Sequence, residues 1–387
     1  MPYAGLIGVD WEERIDFARM RKERFEKAQA AVKKFDVDAL LLFRYENSRY
    51  VCGHRKIQVS TGVGSDPVIT ILLKDQQPFI FTMDRESVIK REPWIPKENV
   101  KPAYWIEMNS GAKVFAKAAK EVLGTAAKGK IGVDNWTSPI YHFLPKEFPN
   151  AQFIDGQEVI MDARMLKTKD EVECFEVASS ITEAGMQAGI DALKPGAREC
   201  ELLATIWHRV YSLGSEWTQS PGIVCADTDV YRRFSSDKII MEGDTVVFDI
   251  GAQFAGYFSD WTRTWYCGRY TKPTSEQKAV FRASYEALRA VEKAIRPRVQ
   301  TGEVFKAAGP SVLGKMVGHG IGLAGQEPPY IAETYEEAVE LKPGMTFAIE
   351  PFVGKPGVAG ARLEDVVAVT ETGCEVISKY PFGPLSE

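Results

Sequence analysis

Residues 244–267 read DTVVFDIGAQFAGYFSDWTRTWYC and alternate apolar with polar or small residues on both sides of residues 254–256. Such alternation around a short turn predicts a β-hairpin. If the turn centres on residues 254–256, Asp249 and Asp260 are nearly cross-strand partners with Cβ atoms roughly 5 Å apart. Two carboxylates at that distance repel each other, and sharing a proton or binding a cation relieves the repulsion. The alternative for this hairpin taken alone is a pair of solvated acids beside a turn.

A second pair of carboxylates lies further along the chain. Glu350 ends the predicted strand in MTFAIEPFV, and Glu364 stands early in the predicted strand GARLEDVVAV. The connection through residues 354–360 contains glycine and proline, so the two strands can run back beside each other. Because Glu350 lies in an otherwise apolar run, its carboxylate is costly to bury unless it is paired or bound to a metal.

A glycine-rich motif, GHGIG at residues 318–322, lies between the two pairs. Glycines allow a tight backbone and leave the His319 imidazole room to reach a ligand position. A lone histidine is more often a core or surface residue than a ligand. His319 is a candidate ligand only because the two pairs of carboxylates accompany it. A site with many carboxylates and one imidazole favours manganese, iron or cobalt over zinc. The chain has only four histidines, which argues against a three-histidine zinc site: His54, His142, His208 and His319.

Bulk properties exclude several classes of protein. A chain of 387 residues exceeds what one hydrophobic core usually organises, so two domains are expected. The net charge of −5 gives no general attraction for nucleic acid or an anionic membrane, which favours a small-molecule or peptide ligand. The N-terminal residues do not resemble a signal peptide, and the longest apolar stretch, residues 68–73, is too short to cross a bilayer. Six cysteines without regular spacing favour reduced thiols in the cytoplasm.

The secondary-structure pattern changes near residue 165. Before it, helical patterns alternate with short apolar strands, beginning with a helix at residues 11–35 and a strand at residues 38–43, which predicts an α/β N-terminal domain. After it, Thr168 and Glu171 have the spacing of a capping box in front of a long helix. We therefore predict two domains, residues 1–165 and residues 166–387.

The five candidate residues resemble, in order and context, the metal-ligand set of one enzyme family. This family includes creatinase, aminopeptidase P, prolidase and methionine aminopeptidase, and its fold is called the pita-bread fold. The resemblance covers roughly residues 166–387 and implies an α+β C-terminal domain with a curved, mainly antiparallel sheet. The N-terminal half is similar, through ENSRYVCG at residues 46–53, to the extra domain of creatinase and aminopeptidase P. The matching residues are Asp249 in FDIG, Asp260 in SDWTRT, His319 in GHGIG, Glu350 in IEP and Glu364 in RLED.

The resemblance implies a role for each of these side chains. Asp249 would bind one divalent metal, His319 and Glu350 a second, and Asp260 and Glu364 would bridge them. The metals would activate water and polarise a carbonyl, while Glu350 would also act as the catalytic proton relay. Beside Glu364, Arg362 and Asp365 are candidates for orienting the ligands, and Arg362 is also a candidate substrate contact.

The sequence departs from the family peptidases at two further positions. Peptidases of this family usually carry one histidine upstream of the first ligand aspartate and another seven residues after the ligand histidine. Here these positions fall on or near Arg232 and on Gln326, which predicts a substrate other than the usual Xaa-Pro peptide. Arginine can hold a carboxylate with two hydrogen bonds, so a small anionic substrate would suit Arg232, with Tyr231 beside it. The alternative is that Arg232 lies in a solvated turn.

Three hypotheses about function follow. The leading one is a dinuclear-metal hydrolase that cleaves a C–N bond in a small, dipeptide-like substrate. The second is a lyase or hydrolase acting on a small charged metabolite, because Trp217, Tyr231 and residues 263–266 resemble the dimethylsulfoniopropionate-lyase branch, although Gly251 and Gly325 stand where that branch has acids. The third is a non-catalytic binding protein, against which the complete ligand set argues. The family resemblance also implies a homodimer in which residues 44–54 of one subunit complete the neighbouring site.

Overall fold

The structure is a computed structural model that describes residues 14–55, 68–218, 222–226, 232–333 and 338–386. These residues form two compact units. One unit comprises Asp16–Arg164, and the other comprises the described residues from Met165 onwards together with Arg14 and Ile15. Tyr231, a predicted substrate contact, lies outside the described residues. In the described ranges, no helix has the length and apolar character that a membrane span requires.

The first unit contains one six-stranded sheet with the strand order β4-β3-β2-β1-β5-β6. Strand β2 pairs antiparallel with β1 and β3, whereas the pairs β3–β4, β1–β5 and β5–β6 are parallel. The predicted α/β character of the N-terminal half is thereby confirmed. The strands are β1 (Ala39–Leu42), β2 (Ile69–Leu73), β3 (Phe79–Thr82), β4 (Val100–Pro102), β5 (Lys130–Val133) and β6 (Gln152–Asp155).

Along the chain, helices lie between most consecutive strands of this sheet. The helix predicted over residues 11–35 spans Phe17–Lys34 in the structure, and residues 11–13 lie outside the described residues. It begins after Asp16, which has extended backbone angles and accepts a hydrogen bond from the Arg19 amide as the N-cap. The segment ENSRYVCG lies in a short helix that ends at Gly53 in the left-handed conformation. The helices are α1 (Phe17–Lys34), α2 (Tyr45–Cys52), α3 (Arg85–Arg91), α4 (Asn109–Leu123), α5 (Ser138–Glu147) and α6 (Gly156–Arg164).

A large buried cluster in the first unit lies between the sheet and helices α4 and α5, and a smaller one includes Val88 of α3. All four residues of β1 are buried, as expected for a central strand whose two faces are both covered. Leu41, Phe81 and Ile131 belong to one buried cluster with Phe115 of α4. The Phe115 ring packs edge-to-face against Phe81 with the ring centroids 5.3 Å apart.

Long helices open the second unit. The predicted capping box is present, since Thr168 and Glu171 exchange hydrogen bonds with each other's backbone at the start of the first helix. Thr274 and Gln277 form a second capping box, which the sequence also predicts. The helices are α7 (Lys169–Ala192), α8 (Glu199–Ser212), α9 (Ser275–Ala294) and α10 (Thr301–Ala307).

The strands of the second unit pair antiparallel throughout the described residues. They form a three-stranded sheet β11-β8-β7, a five-stranded sheet β13-β12-β14-β17-β18, and the hairpins β9–β10 and β15–β16. The predicted α+β architecture of this half is confirmed. The strands are β7 (Ile223–Ala226), β8 (Thr245–Ile250), β9 (Gln253–Phe254), β10 (Tyr257–Phe258), β11 (Trp261–Tyr266), β12 (Met316–Gly320), β13 (Glu327–Ala332), β14 (Thr346–Ile349), β15 (Phe352–Lys355), β16 (Ala359–Arg362), β17 (Asp365–Val369) and β18 (Cys374–Val376).

The hairpin that carries both aspartates turns where the sequence predicts, but its register differs. Its turn contains Ala255 and Gly256, both with positive φ (50° and 91°), as in the two-residue turns that match the twist of paired strands. Because the turn holds two residues and not three, Asp249 pairs with Thr262, and Asp260 lies two residues from that position. The expectation that the two aspartates lie nearly opposite each other is therefore wrong. They are diagonal neighbours on the two strands of the hairpin.

Candidate metal centre

Asp260, His319 and Glu364 come together in the second unit although they are far apart in the sequence. One ligand atom of each residue lies within 4.8 Å of the ligand atoms of the other two, and all three residues are buried. Nε2 of His319 lies 3.7 Å from Oδ2 of Asp260. These separations suit atoms that share cations, since metal bonds to nitrogen and oxygen are about 2.0–2.2 Å long.

The glycines of the GHGIG motif allow His319 to lie on a strand of the five-stranded sheet that is paired on both sides. Strand β12 is flanked by β13 and β14, and His319 pairs with Ala348 of β14. A Cβ atom at Gly318 would lie 2.7 Å from the Ala348 carbonyl oxygen, and one at Gly320 would lie 2.5 Å from the Glu327 carbonyl oxygen. The strands can approach this closely only because both positions lack a side chain.

Glu350 and Glu364 stand at adjacent strand ends. Strands β14 and β17 pair antiparallel with Ile349 opposite Asp365, so the residue after β14 and the residue before β17 are neighbours. Oε1 of Glu350 lies 3.5 Å from Nε2 of His319. The hairpin β15–β16 connects the two glutamates, as the glycine- and proline-containing connection predicts.

Asp249 joins this group through Arg362. Nη1 of Arg362 donates to Oδ2 of Asp249 at 3.0 Å, its Nη2 pairs with Oε2 of Glu350, and its Nε lies 3.8 Å from Oε2 of Glu364. The arginine is only 6% exposed. The structure therefore directs the Arg362 guanidinium, predicted both as an orienting group and as a substrate contact, at the candidate ligands.

Burial sets the protonation of the site. It lowers the pKa of His319 to about 4, so the imidazole is neutral near pH 7. Nδ1 lies 3.0 Å from the Gly320 carbonyl oxygen, an acceptor, so the neutral tautomer with the proton on Nδ1 forms this hydrogen bond. The lone pair of Nε2 then faces the carboxylates. Burial also raises the pKa of Glu364 to about 7. The imidazole is thus in the form that binds a metal, and Glu364 gains from a nearby cation.

The arrangement fits a group of divalent cations. Within the described part of the chain, no hydrogen bond reaches Nε2 of His319, Oε1 of Glu350 or Oε1 of Glu364, although all three atoms are buried. When fully ionised, the four candidate carboxylates carry four negative charges, and the Arg362 guanidinium balances only one of them. Unpaired buried charges and unsatisfied buried acceptors are both costly, and bound cations remove both costs.

Comparison with known proteins identifies the family. The model of metallopeptidase family M24 matches residues 173–371, just over half of the chain. The chain belongs to this family. A second model, the creatinase/prolidase N-terminal domain, matches residues 24–166. The resemblance read from the five candidate ligands is confirmed, and the chain is a metal-dependent hydrolase.

Relatives of family M24 cover both halves of the chain. An Xaa-Pro dipeptidase of Pyrococcus furiosus is 33% identical over 238 residues, which cover 59% of this chain and 67% of that protein. An Xaa-Pro dipeptidase of Pyrococcus horikoshii is 26% identical over 92% of this chain and 97% of its own length. The solved structure of an Xaa-Pro dipeptidase from Bacillus anthracis superimposes with a TM-score of 0.78 at 25% identity, covering 93% of this chain and 98% of that one.

The two positions predicted to depart from the family peptidases, Gln326 and Arg232, have different surroundings. Gln326 is exposed in the loop between β12 and β13, six residues after Gly320, the last residue of the strand that carries His319. Arg232 pairs with Glu199, a fully buried acid on α8, and also donates to the Ala226 carbonyl at 3.3 Å. The other Glu199 oxygen accepts hydrogen bonds from the amide and hydroxyl of Ser236 at 2.9 and 2.8 Å. The Arg232 guanidinium is thus neither in a solvated turn nor available without loss of an ion pair.

Some residues at this M24 site were not predicted as functional from the sequence. Thr262 donates from Oγ1 to Oε2 of Glu364, and Arg263 donates to the Glu364 main chain. Lys167 forms a buried ion pair with Glu327 at 2.8 Å next to the GHGIG loop. The sequence feature that could have identified Thr262 and Arg263 is their position among aromatic residues in a predicted strand, residues 261–266.

Proposed function

We propose that this chain is a dinuclear-metal hydrolase that cleaves the C–N bond of a small, dipeptide-like amide. The observation that carries the proposal is the buried group of Asp260, His319 and Glu364, with Glu350 and Asp249 beside it. Oxygen-rich ligands with one imidazole favour manganese, iron or cobalt over zinc. Two such ions would lower the pKa of water and polarise the scissile carbonyl.

The proposed ligand set follows the positions of the side chains. Asp249 would hold one ion, His319 and Glu350 the other, and Asp260 and Glu364 both. The short distance between Nε2 of His319 and Oε1 of Glu350, 3.5 Å, supports their assignment to one ion. Neutral imidazole and ionised carboxylates are the protonation states that bind metal, and the lowered pKa of His319 favours the first of them.

Glu350 is the proposed proton carrier. Its Oε2 pairs with Arg362, so one end of the carboxylate is fixed while Oε1 remains directed at the site. A carboxylate held in this way can accept a proton from the attacking water and return it to the leaving amine. Arg362 would keep Asp249 and Glu350 in place during this transfer, since it contacts both.

Gln326 supports a substrate outside the usual Xaa-Pro peptides. Its amide can donate and accept hydrogen bonds, but it does not titrate near neutral pH as the histidine at this position in the family peptidases does. Gln326 is exposed on the loop that follows the His319 strand, where a substrate can reach it. Arg232 is a weaker candidate for a substrate contact, because a substrate carboxylate would have to compete with Glu199 for the guanidinium.

A non-peptidase reaction on a small charged metabolite is the second candidate, and the same Gln326 favours it. Both reactions are tested together by loading the metal-stripped chain with Mn²⁺, Fe²⁺ or Co²⁺ and counting bound ions per chain. The loaded protein is then assayed with non-proline dipeptides, Xaa-Pro dipeptides, dimethylsulfoniopropionate, ectoine and creatine. Cleavage of non-proline dipeptides with two ions bound is expected. Turnover of a metabolite without any dipeptide cleavage would replace the leading proposal with the second candidate.

We further propose the domain limits 1–165 and 166–387, a cytoplasmic location and a homodimer. The boundary near residue 165 is supported by the division between the compact units, which falls between Arg164 and Met165, whereas Arg14 and Ile15 group with the second unit. The cytoplasmic location is supported by the cysteines, because all six lie in described ranges and no disulfide joins any two of them. The dimer rests on the family resemblance, and light scattering of the purified chain tests it.

A further inference from the structure

Strand β11 holds Glu364 through two consecutive residues. Oγ1 of Thr262 donates to Oε2 of the Glu364 carboxylate at 2.5 Å, and the Glu364 amide donates to the Thr262 carbonyl at 3.1 Å. Nη1 of Arg263 donates to the Glu364 carbonyl at 2.7 Å. All three residues are buried. The side chain, amide and carbonyl of Glu364 are therefore each tied to the same strand.

The hydrogen bond from Thr262 determines which carboxylate oxygen remains for a ligand. The terminal torsion of a glutamate is broad, so the carboxylate plane is not fixed by rotamer preference alone. With Oε2 engaged by Thr262, Oε1 is buried and receives no hydrogen bond from the residues that the structure describes. The carboxylate thus presents one uncommitted oxygen to the group formed with Asp260 and His319.

Arg263 is held with all its donors in use. Its Nε and Nη2 donate to the Tyr380 carbonyl at 3.0 and 2.8 Å, and Nη2 also donates to Oδ1 of Asp365 at 2.9 Å. Its Nη1 donates to the carbonyls of Thr262 and Glu364 at 3.0 and 2.7 Å. The planar five-donor fork of arginine suits this set, which a lysine ammonium with three donors cannot reproduce.

Two aromatic rings fix the plane of this guanidinium. The Arg263 carbon Cζ lies 4.9 Å from the ring centroid of Trp261 and 4.3 Å from that of Phe382. Such cation–π contacts are stronger when the cation is desolvated, and Arg263 is 1% exposed. The segment of Tyr380 and Phe382 near the C-terminal end of the chain is thereby connected to the main chain at Glu364.

We propose that Thr262 and Arg263 are positioning residues that orient Glu364 toward the metal ions. The inference rests on the proposed function, because it assigns both residues a role toward ions that the five ligands would bind. Residues that hydrogen-bond to a ligand fix its direction, and their loss typically lowers metal affinity by about 10–100-fold. Arg263 extends this support to the Tyr380 carbonyl, to which it donates, and to the Phe382 ring.

The test compares two variants at one position. Thr262→Ser keeps the hydroxyl, whereas Thr262→Val keeps the branched shape and removes the hydrogen bond to Glu364. Metal-stripped protein is titrated with Mn²⁺ by calorimetry, and the spectrum of the bound ions is recorded by electron paramagnetic resonance. We expect Thr262→Val to weaken Mn²⁺ binding by about 10–100-fold and to change the spectrum, while Thr262→Ser stays within about threefold of the unaltered chain.

Arg263 is tested against an arginine of the same cluster. Arg289 donates to Oδ2 of Asp365 at 2.9 Å and faces Phe382, but no hydrogen bond among the described residues joins it to Glu364. Arg263→Lys is expected to weaken Mn²⁺ binding, and Arg289→Lys is expected to leave it unchanged. Thermal unfolding of the metal-free proteins shows whether a loss of affinity is separate from a loss of stability.

The outcomes distinguish this inference from the proposed metal centre. If the unaltered chain and Thr262→Ser bind Mn²⁺ and Thr262→Val binds it equally well with the same spectrum, the positioning role is refuted while the metal centre stands. If the unaltered chain binds no Mn²⁺, Fe²⁺ or Co²⁺, the metal centre itself is refuted and the positioning role falls with it. Weaker binding by Thr262→Val alone supports the inference.

Discussion

Nε2 of His319 lies 3.5 Å from Oε1 of Glu350, and both atoms are buried without a hydrogen bond from any described residue. A neutral imidazole and a carboxylate have lone pairs but no proton between them at this position, because Nδ1 carries the imidazole proton and lies beside the Gly320 carbonyl. Two acceptors that face each other inside a protein repel unless a cation lies between them. This pair therefore marks a point at which a bound metal ion would relieve the repulsion.

Replacement of His319 tests this point. We expect His319→Ala to lower Mn²⁺ affinity by more than the roughly 10–100-fold that is typical when a residue hydrogen-bonded to a ligand is lost, because His319 is itself a proposed ligand. His208→Ala is the control, since His208 is exposed on α8. Bound metal is measured by elemental analysis after dialysis. Equal metal content in the two variants would contradict the assignment of His319.

Replacement of Gln326 tests the choice of substrate. Gln326→His would restore an imidazole, which can hold or transfer a proton near neutral pH. We expect kcat/KM for Xaa-Pro dipeptides to rise by at least about 100-fold, the low side of a general acid–base contribution. Gln77→His places the same side chain at an exposed position in the first unit and should change nothing. An unaltered Xaa-Pro activity in Gln326→His would show that another feature of the site sets specificity.

Replacement of Arg232 separates a structural role from substrate binding. Arg232→Met leaves the buried Glu199 carboxylate without its guanidinium, although the hydrogen bonds from Ser236 remain. We expect the free energy of unfolding to fall by about 1–3 kcal/mol, less than for a fully buried pair because the Arg232 side chain is 27% exposed. Urea unfolding measures it, with the exposed Arg233→Met as the control. A raised KM with unchanged stability would instead support substrate binding by Arg232.

The first unit offers a prediction about pH. Burial raises the pKa of Asp134 to about 7, although the amides of Phe43 and Arg44 and the side chain of Asn47 donate to it. Between about pH 4 and pH 7 the folded protein keeps a proton that the unfolded chain releases, so the contribution of Asp134 to stability falls as the pH rises. Asp134→Asn cannot titrate and removes this dependence.

Urea unfolding at pH 5 and pH 8 measures this effect. We expect the stability of the unaltered chain relative to Asp134→Asn to be greater at pH 5 than at pH 8. Asp84→Asn, at an exposed position, controls for the general effect of removing an acid. Parallel pH dependences of the unaltered chain and Asp134→Asn would refute the raised pKa.

Local features of the sequence determined which residues could form the metal centre. Each candidate ligand lies within a short motif whose pattern of apolar, glycine and acidic residues fixes a strand or a turn. The glycines beside His319 and the two capping boxes were readable for the same reason, since their partners lie within a few residues. Alternation and capping depend on neighbours in the chain, and so the sequence alone defines the fold class and the ligand motifs.

Tertiary structure alone decided the register and the partners. The turn at Ala255 and Gly256 placed Thr262 opposite Asp249 and left Asp260 two residues from that position, because the position and length of a turn set the register of the paired strands. Packing brought Glu199 to Arg232, 33 positions away, and Thr262 to Glu364, 102 positions away. These contacts depend on how sheets and helices pack, which no local pattern encodes. The sequence therefore determined the candidate metal ligands, and the fold decided which side chains lie beside them.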